Sequence, residues 1–334
     1  MAPKVTMEEI AREAGVSAST VSRVMNSPDR VKRETRDRVY ESMRKLNYLP
    51  HGARKDPSTL ANIIAIFAPN LLLDSVTELV RAIEQELSRT NFDLLLVNMR
   101  GERDFGRFIT THSHLRKKID GAVVFSADLS EQAAKFMRAA DIPVVLMQER
   151  SSVVRSVSNN NFLGGMDATE HLLRCGYRRI AFVGWQPSDG HVIDRLSGYR
   201  AALQRAGLPF REEDIAYGTL DSGGGFEATR ILLANSKPDA IFYATDVMAV
   251  GGIRWLRRSG VSVPDEIGVM GFDDLAVAEA LDLTTMRQFF DSKARMVVQY
   301  LVPRVTGEIR EDRVEELQVT PRVVERGTTR RPME

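Results

Sequence analysis

One cysteine stands among 334 residues. Cys175 therefore has no partner for an internal disulfide, and no thiolate-rich zinc cluster can form. No stretch approaches the 18 apolar residues that mark a membrane helix. The opening residues, MAPKVTMEEIAREAG, lack the apolar core of a secretory signal. These absences point to a cytoplasmic protein with no membrane partner. The signatures of common enzymes are missing too. No GxGxxG follows a strand, and there is no P-loop and no GxSxG. The five histidines are scattered, and His112 and His114 are two apart, which does not place them on one helical face. The expectation is a non-enzyme without metal or cofactor.

What is present is ordinary globular composition. Apolar residues make up 43% and charged residues 27%, which excludes disorder and a coiled coil as the main plan. The length suits two or three domains. A net charge of +1 hides an asymmetry. Residues 1–58 carry 12 Lys/Arg against 8 Asp/Glu, and the remainder carries 34 against 37. A basic head on a mildly acidic body suggests an anionic partner for the head alone.

The head reads as three short helices. Thr6-Met7-Glu8-Glu9 is a capping box, in which the Thr6 hydroxyl accepts the Glu9 amide and Glu9 reaches back. Met7, Ile10, Ala11 and Ala14 recur at helical spacing. Gly15 ends that helix, and Ser17 caps the next. Val21 and Val24 give the second helix a buried face. A small residue at the crossing (Ala11), a turn glycine four on and an apolar anchor six beyond make a helix-turn-helix, which presents its second helix to a major groove. A plain helical hairpin is the alternative.

The strings "VTMEEIAREAGVSASTVSRVMN" and "TRDRVYESMRKLNYLP" resemble the head of the LacI/GalR family of bacterial transcription regulators, and the resemblance covers nearly the whole chain. It places Ala18, Ser19 and Arg23 where the recognition helix meets base edges. Arginine can pair with guanine O6 and N7, whereas Ala18 offers only a methyl. Thr6, Ser17, Thr20, Ser22, Asn26 and Thr35 match phosphate-bonding positions, which set register and not sequence. Capping or solvation is the competing role for each small hydroxyl. Lys32 occupies a usual serine cap.

In the family, the stretch after "YxP" is a hinge that folds on DNA and wedges a leucine into the minor groove. Here Pro50-His51-Gly52-Ala53-Arg54-Lys55-Asp56-Pro57 is one residue short, and Asp56-Pro57 lie where the leucine belongs. Arg54 matches the family's "AR" pair and can enter a narrow minor groove. A flexible linker is the other reading.

From residue 62 strands and helices alternate. "NIIAIFAP", "FDLLLVNM", "DGAVVFSA" and "IPVVLMQE" read as buried parallel strands, and "RIAFVGW", "DIAYG", "DAIFYATD" and "EIGVMGFDD" form a second set. This is one doubly wound α/β unit repeated. The expected fold is a helix-turn-helix head plus a two-lobe core like the periplasmic binding proteins, with a ligand cleft at the strands' carboxyl ends. The expected domains are a DNA-binding head at 1–49, a hinge at 50–61, a first lobe at 62–160 plus 291–318, and a second lobe at 161–290 plus 319–334. The return of the chain to the first lobe comes from the resemblance.

The resemblance also carries effector positions. Arg195 in "DRLSGYRAAL" matches the usual effector arginine, and Asp273 in "GFDD" matches the usual acceptor for sugar hydroxyls. Thr245 stands in the family's "ND/SD", Gln148 follows "PVVL", and Asn160-Asn161 stand for "DN" with Phe162 behind. Helix capping is the role favoured for Asp246. Ser75, Val76 and Leu220 fill places where the family often has aromatics. That weakens a flat stacking floor, leaving Phe162 and Trp185 as candidate surfaces. Gly223-Gly224-Gly225 before a helix is a possible anion cradle, or just a loop. Cys175 reads as a packing residue. A small hydroxylated, carbohydrate-derived effector, an acidic one included, fits this set better than a purine.

The sequence thus implies a homodimeric, effector-controlled repressor on pseudo-palindromic operator DNA. The alternative is a two-lobe carbohydrate-binding protein without regulatory DNA binding, against which stand the missing signal and the attached head.

Overall fold

Short-range caps and apolar runs account for most of the elements in the computed structural model, which describes residues 5–26, 30–46, 60–309 and 314–330. The chain divides into two units. Unit 1 holds residues 1–158 and 290–317, and unit 2 holds residues 159–289 and 318–334.

The head belongs to unit 1 and consists of α1 (Met7–Ala14), α2 (Ala18–Asn26) and α3 (Arg33–Lys45). The Thr6–Glu9 capping box forms in both directions. Gly15 adopts φ 63°, and Val16 N–H then donates to the Ala11 carbonyl at 2.9 Å. This is the left-handed helix end that glycine takes at least cost. Ile10, Ala11, Ala14, Val21, Val24, Val39, Tyr40 and Met43 close a small core.

The rest of unit 1 runs β1 (Ile63–Ala68), α4 (Asp74–Leu87), β2 (Asp93–Asn98), α5 (Phe105–Thr111), β3 (Gly121–Phe125), α6 (Glu131–Arg138), β4 (Val144–Met147) and β5 (Arg155–Asn159), whose last residue already belongs to unit 2. Its sheet has the order β2-β1-β3-β4-β5, with an added edge strand described below, and the pairs β1–β2, β1–β3, β3–β4 and β4–β5 are parallel. Residues of a strand alternate between faces. On β1, Ile64, Ile66 and Ala68 join Val76, Leu79 and Ile83 of α4, while Ala65 and Phe67 join Phe105 and Phe108 of α5.

Unit 2 repeats the plan with α7 (Asn161–Arg174), β6 (Ile180–Gly184), α8 (Gly190–Arg205), β7 (Ile215–Tyr217), α9 (Ser222–Asn235), β8 (Ala240–Tyr243), α10 (Asp246–Arg258), β9 (Gly268–Met270), α11 (Ala276–Ala280) and β10 (Thr285–Arg287). The sheet β7-β6-β8-β9 is parallel. Ile180 and Phe182 face α7 and α8, and Ala181 and Val183 face α9 and α10. The chain then gives α12 (Phe290–Thr306) to unit 1, where Val297 and Leu301 pack with α4. Next comes β11 (Glu316–Val319) beside β5, and β12 (Arg322–Val324), which pairs antiparallel with β10.

Three elements depart from the expectation. β5, RSVSN, is a strand without an apolar run. β10–β12 is an antiparallel ribbon rather than part of a doubly wound sheet. The triple glycine is no cradle. It lies in the first turn of α9, where the Asp221 carboxylate accepts from Gly224 N–H at 2.7 Å. An anion there would meet a like charge.

Candidate functional site

The head offers one candidate surface. On α2, Val21 and Val24 are fully buried, while Ser19 and Arg23, one turn apart, are exposed. Four-residue spacing puts those two on one outward face. Ser17 caps the helix: its Oγ accepts from Thr20 N–H at 3.2 Å and lies 2.8 Å from both the Ser19 and Thr20 hydroxyls. Ala18, Thr20 and Ser22 are half-buried. The exposed Thr6 side chain is already used by its capping box, and half-buried Thr35 sits in the first turn of α3. Arg54, the linker up to residue 59 and the side chain of Asn26 lie outside the described residues.

Unit 2 holds the second candidate site, built around Arg195. Two glycine contacts place it. A Cβ on Gly165 would sit 2.1 Å from the Arg195 carbonyl oxygen, and one on Gly198 would sit 2.0 Å from that of Phe162. Only glycine lets α7 and α8 approach so closely. Arg195, 4% exposed, then reaches across the start of α7. Its Nε donates to Asn161 Oδ1 at 2.9 Å, and its Nη1 donates to the Ala244 carbonyl. The guanidinium lies 3.6 Å from the Phe272 ring centre and 5.7 Å from that of Trp185. Burial lowers its pKa to about 10, opposed by the charges of Asp273, Asp189, Asp246 and Asp194. It remains a cation at neutral pH.

Asp273, 6% exposed, sits on a forced turn. Asp273 and Asp274 have φ 133° and 60°, backbone regions that non-glycine residues occupy only when their surroundings hold them. Three anchors do so. Asp273 N–H donates to the Met286 carbonyl at 2.8 Å. Asp274 accepts from Arg326 Nη2 at 2.7 Å. Asp246 accepts from Leu275 N–H at 2.9 Å and from the Thr285 hydroxyl at 2.5 Å. Asp246 is thus a loop anchor and not the helix cap expected for it. The cap is Thr245, whose hydroxyl accepts from Met248 N–H at 3.3 Å, so that oxygen is already engaged at home.

Of the other candidates in unit 2, Phe162 and Leu220 are 40% and 37% exposed, and Trp185 is half-buried against the core. In unit 1, Gln148 follows β4 with φ 70° and is 9% exposed. Ser75, in the first turn of α4, is half-buried. Val76 requires correction. It is 1% exposed and packed in the unit 1 core, because helical spacing turns it inward beside Leu79 and Ile83. It cannot reach a ligand. Residue patterns gave no sign of Phe272, Asn159 or Gln288. Asn161 stood in the "DN" match without a role. Cys175 is 2% exposed, and burial pushes its thiol pKa up, which disfavours the reactive thiolate. Among the described residues, no group of three His, Cys, Asp or Glu could hold a metal ion, and no helix is long and apolar enough to cross a membrane.

A model of bacterial regulatory proteins of the lacI family matches residues 6–51, and a periplasmic binding protein-like domain matches residues 169–329. The ribose operon repressor of Escherichia coli K12 is 32% identical over 97% of this chain and 99% of its own length. The chain belongs to the lacI family of bacterial regulators. Two solved structures of this family extend the likeness. The CelR–cellobiose complex is 29% identical, covers 97% of this chain and 99% of that one, and superimposes with a TM-score of 0.71. The lac repressor dimer bound to operator and the anti-inducer ONPF is 26% identical over 98% of this chain and 100% of that one, with a TM-score of 0.68. This lacI-family chain is a DNA-binding transcription regulator and not an enzyme.

Proposed function

We propose that the protein is a dimeric, cytoplasmic repressor that reads a pseudo-palindromic operator with α2 and is controlled by a small hydroxylated effector. The reading head is residues 1–49 and the hinge 50–61. The carrying observation is the Arg195–Asp273 arrangement in unit 2, a buried planar cation on an aromatic platform with a carboxylate on a held turn. A carboxylate accepts from ligand hydroxyls, and a guanidinium donates to ligand oxygens in a fixed fork. Trp185 and Phe162 offer apolar surface for a sugar face. Leu220 and Thr245 are further candidates on unit 2, and Gln148 and Ser75 are candidates on unit 1. Asp273, Asp189, Asp246 and Asp194 all act on Arg195, so the surroundings of this cation suit a neutral polyol better than a sugar acid. The ribose and cellobiose in the names of related proteins support this class.

The test has two stages. Selection of duplexes from a random pool at near-physiological salt is expected to enrich a two-fold symmetric site of about 14–20 base pairs. A panel of neutral sugars, sugar acids and sugar phosphates is then scored by fluorescence anisotropy on that site. A neutral sugar is expected to change operator affinity in the natural protein and to have no effect in Asp273→Ala. A response only to acids or phosphates refutes the neutral-polyol reading. An unchanged response in Asp273→Ala removes Asp273 from the site.

A further inference from the structure

The chain passes between units at three places, 158/159, 289/290 and 317/318. Inside unit 2, side-chain hydrogen bonds connect the first two to Asp273, and a backbone bond beside the first reaches the third. Gln288 Nε2 donates to Asp273 Oδ1. Asn159 Nδ2 donates to Gln288 Oε1. One residue on, Asn160 N–H donates to the Val319 carbonyl at 3.0 Å.

Chemistry dictates the direction of this chain. An ionised carboxylate only accepts. Gln288 must therefore turn its NH2 to Asp273, which leaves its carbonyl for Asn159, and Asn159 must answer with its own NH2. Asn159 and Gln288 are each 2% exposed, so water cannot readily replace a lost partner. The backbone is also held against local preference at Asp273, with φ 133°, and at Phe289 beside Gln288, with φ 52°.

We propose that Gln288 and Asn159 are positioning residues that link the state of the Asp273 carboxylate to the three crossings. A ligand hydroxyl that takes Asp273 Oδ1 displaces the Gln288 NH2 from it. Gln288 then re-aims, and Asn159 follows at the first crossing. This deepens the effector reading of Asp273 and rests on it. Sequence inspection could not have found the pair, because 129 residues separate its members.

The experiment is hydrogen–deuterium exchange on the full chain, with neither effector nor DNA present. The segments read are 157–161 and 286–290. Asp273→Ala removes the acceptor, Asp273→Asn keeps an acceptor oxygen, and Gln288→Met removes the bonds to Asp273 and Asn159 at similar length. Asp273→Ala and Gln288→Met are each expected to speed exchange in 157–161 roughly tenfold, about the effect of one net hydrogen bond. Combining them is expected to add little, and Asp273→Asn is expected to match the natural chain. Should Gln288→Met fail to fold, Gln288→Glu keeps the acceptor for Asn159 while setting a carboxylate against Asp273, and faster exchange in 157–161 is again expected. Natural exchange in 157–161 of Asp273→Ala overturns the link, as does full additivity of the two variants. A failed effector search leaves this readout untouched, so the two readings fail separately.

Discussion

Replacing Asp246 by asparagine is expected to stabilise unit 2 at neutral pH and to lose that advantage in acid. Asp246 is 0% exposed. Burial raises its carboxyl pKa from the ordinary 3.8 to about 6, in spite of the opposing bonds from Thr285 and Leu275. The folded chain therefore holds this proton more tightly than the unfolded chain. Its contribution to stability is fully present below pH 4 and is lost as the pH rises through about 6. A shift of about 2 units corresponds to roughly 3 kcal/mol. Asparagine has the same shape and no charge. Its carbonyl can accept from Leu275 N–H, and its NH2 can donate to the Thr285 hydroxyl oxygen. Above pH 7 the Asp246→Asn protein should gain up to about 3 kcal/mol, and near pH 4 the two proteins should unfold alike. Both tryptophans, Trp185 and Trp255, lie in unit 2, so denaturant unfolding followed by their fluorescence reports this unit. The reasoning is refuted if Asp246→Asn changes stability equally at pH 4 and pH 7.5, or destabilises only at the higher pH.

Two other outcomes follow from the geometry. Arg23→Ala should weaken binding to the selected operator by the worth of one bidentate base contact, about 1–3 kcal/mol, while salt-sensitive binding to random DNA persists in anisotropy titrations. Equal loss of both would remove the base-reading role. Gly165→Ala should destabilise unit 2 by about 1–3 kcal/mol through overpacking, because its Cβ meets the Arg195 carbonyl oxygen, whereas Gly190→Ala, with nothing within 4 Å, should unfold nearly as the natural chain does. Indistinguishable midpoints for the two variants would show that the α7–α8 contact does not constrain Arg195.

The head was legible because its determinants are local. The Thr6–Glu9 box, the Gly15 turn and the inward Val21 and Val24 depend on residues three or four apart, and backbone geometry alone converts such spacings into structure. The parallel strands were legible because burial on both faces demands apolar runs such as IIAIFA and AVVF. β5 escaped notice for the same reason. Its Ser156 and Ser158 are 0% and 2% exposed, and polar residues leave no trace of burial in a periodicity. The exact α4 register turned Val76 into the core and left Ser75 at the surface side. The division of labour between Thr245 and Asp246 likewise needed Leu275 and Thr285, 29 and 39 residues from Asp246. Asn159 and Gln288 carry no motif at all. Local caps and apolar patterning are properties of a short segment. The environment of a buried polar group belongs to whatever the whole chain brings beside it, so only the tertiary structure decided which of these side chains anchor, which pack and which remain for a ligand.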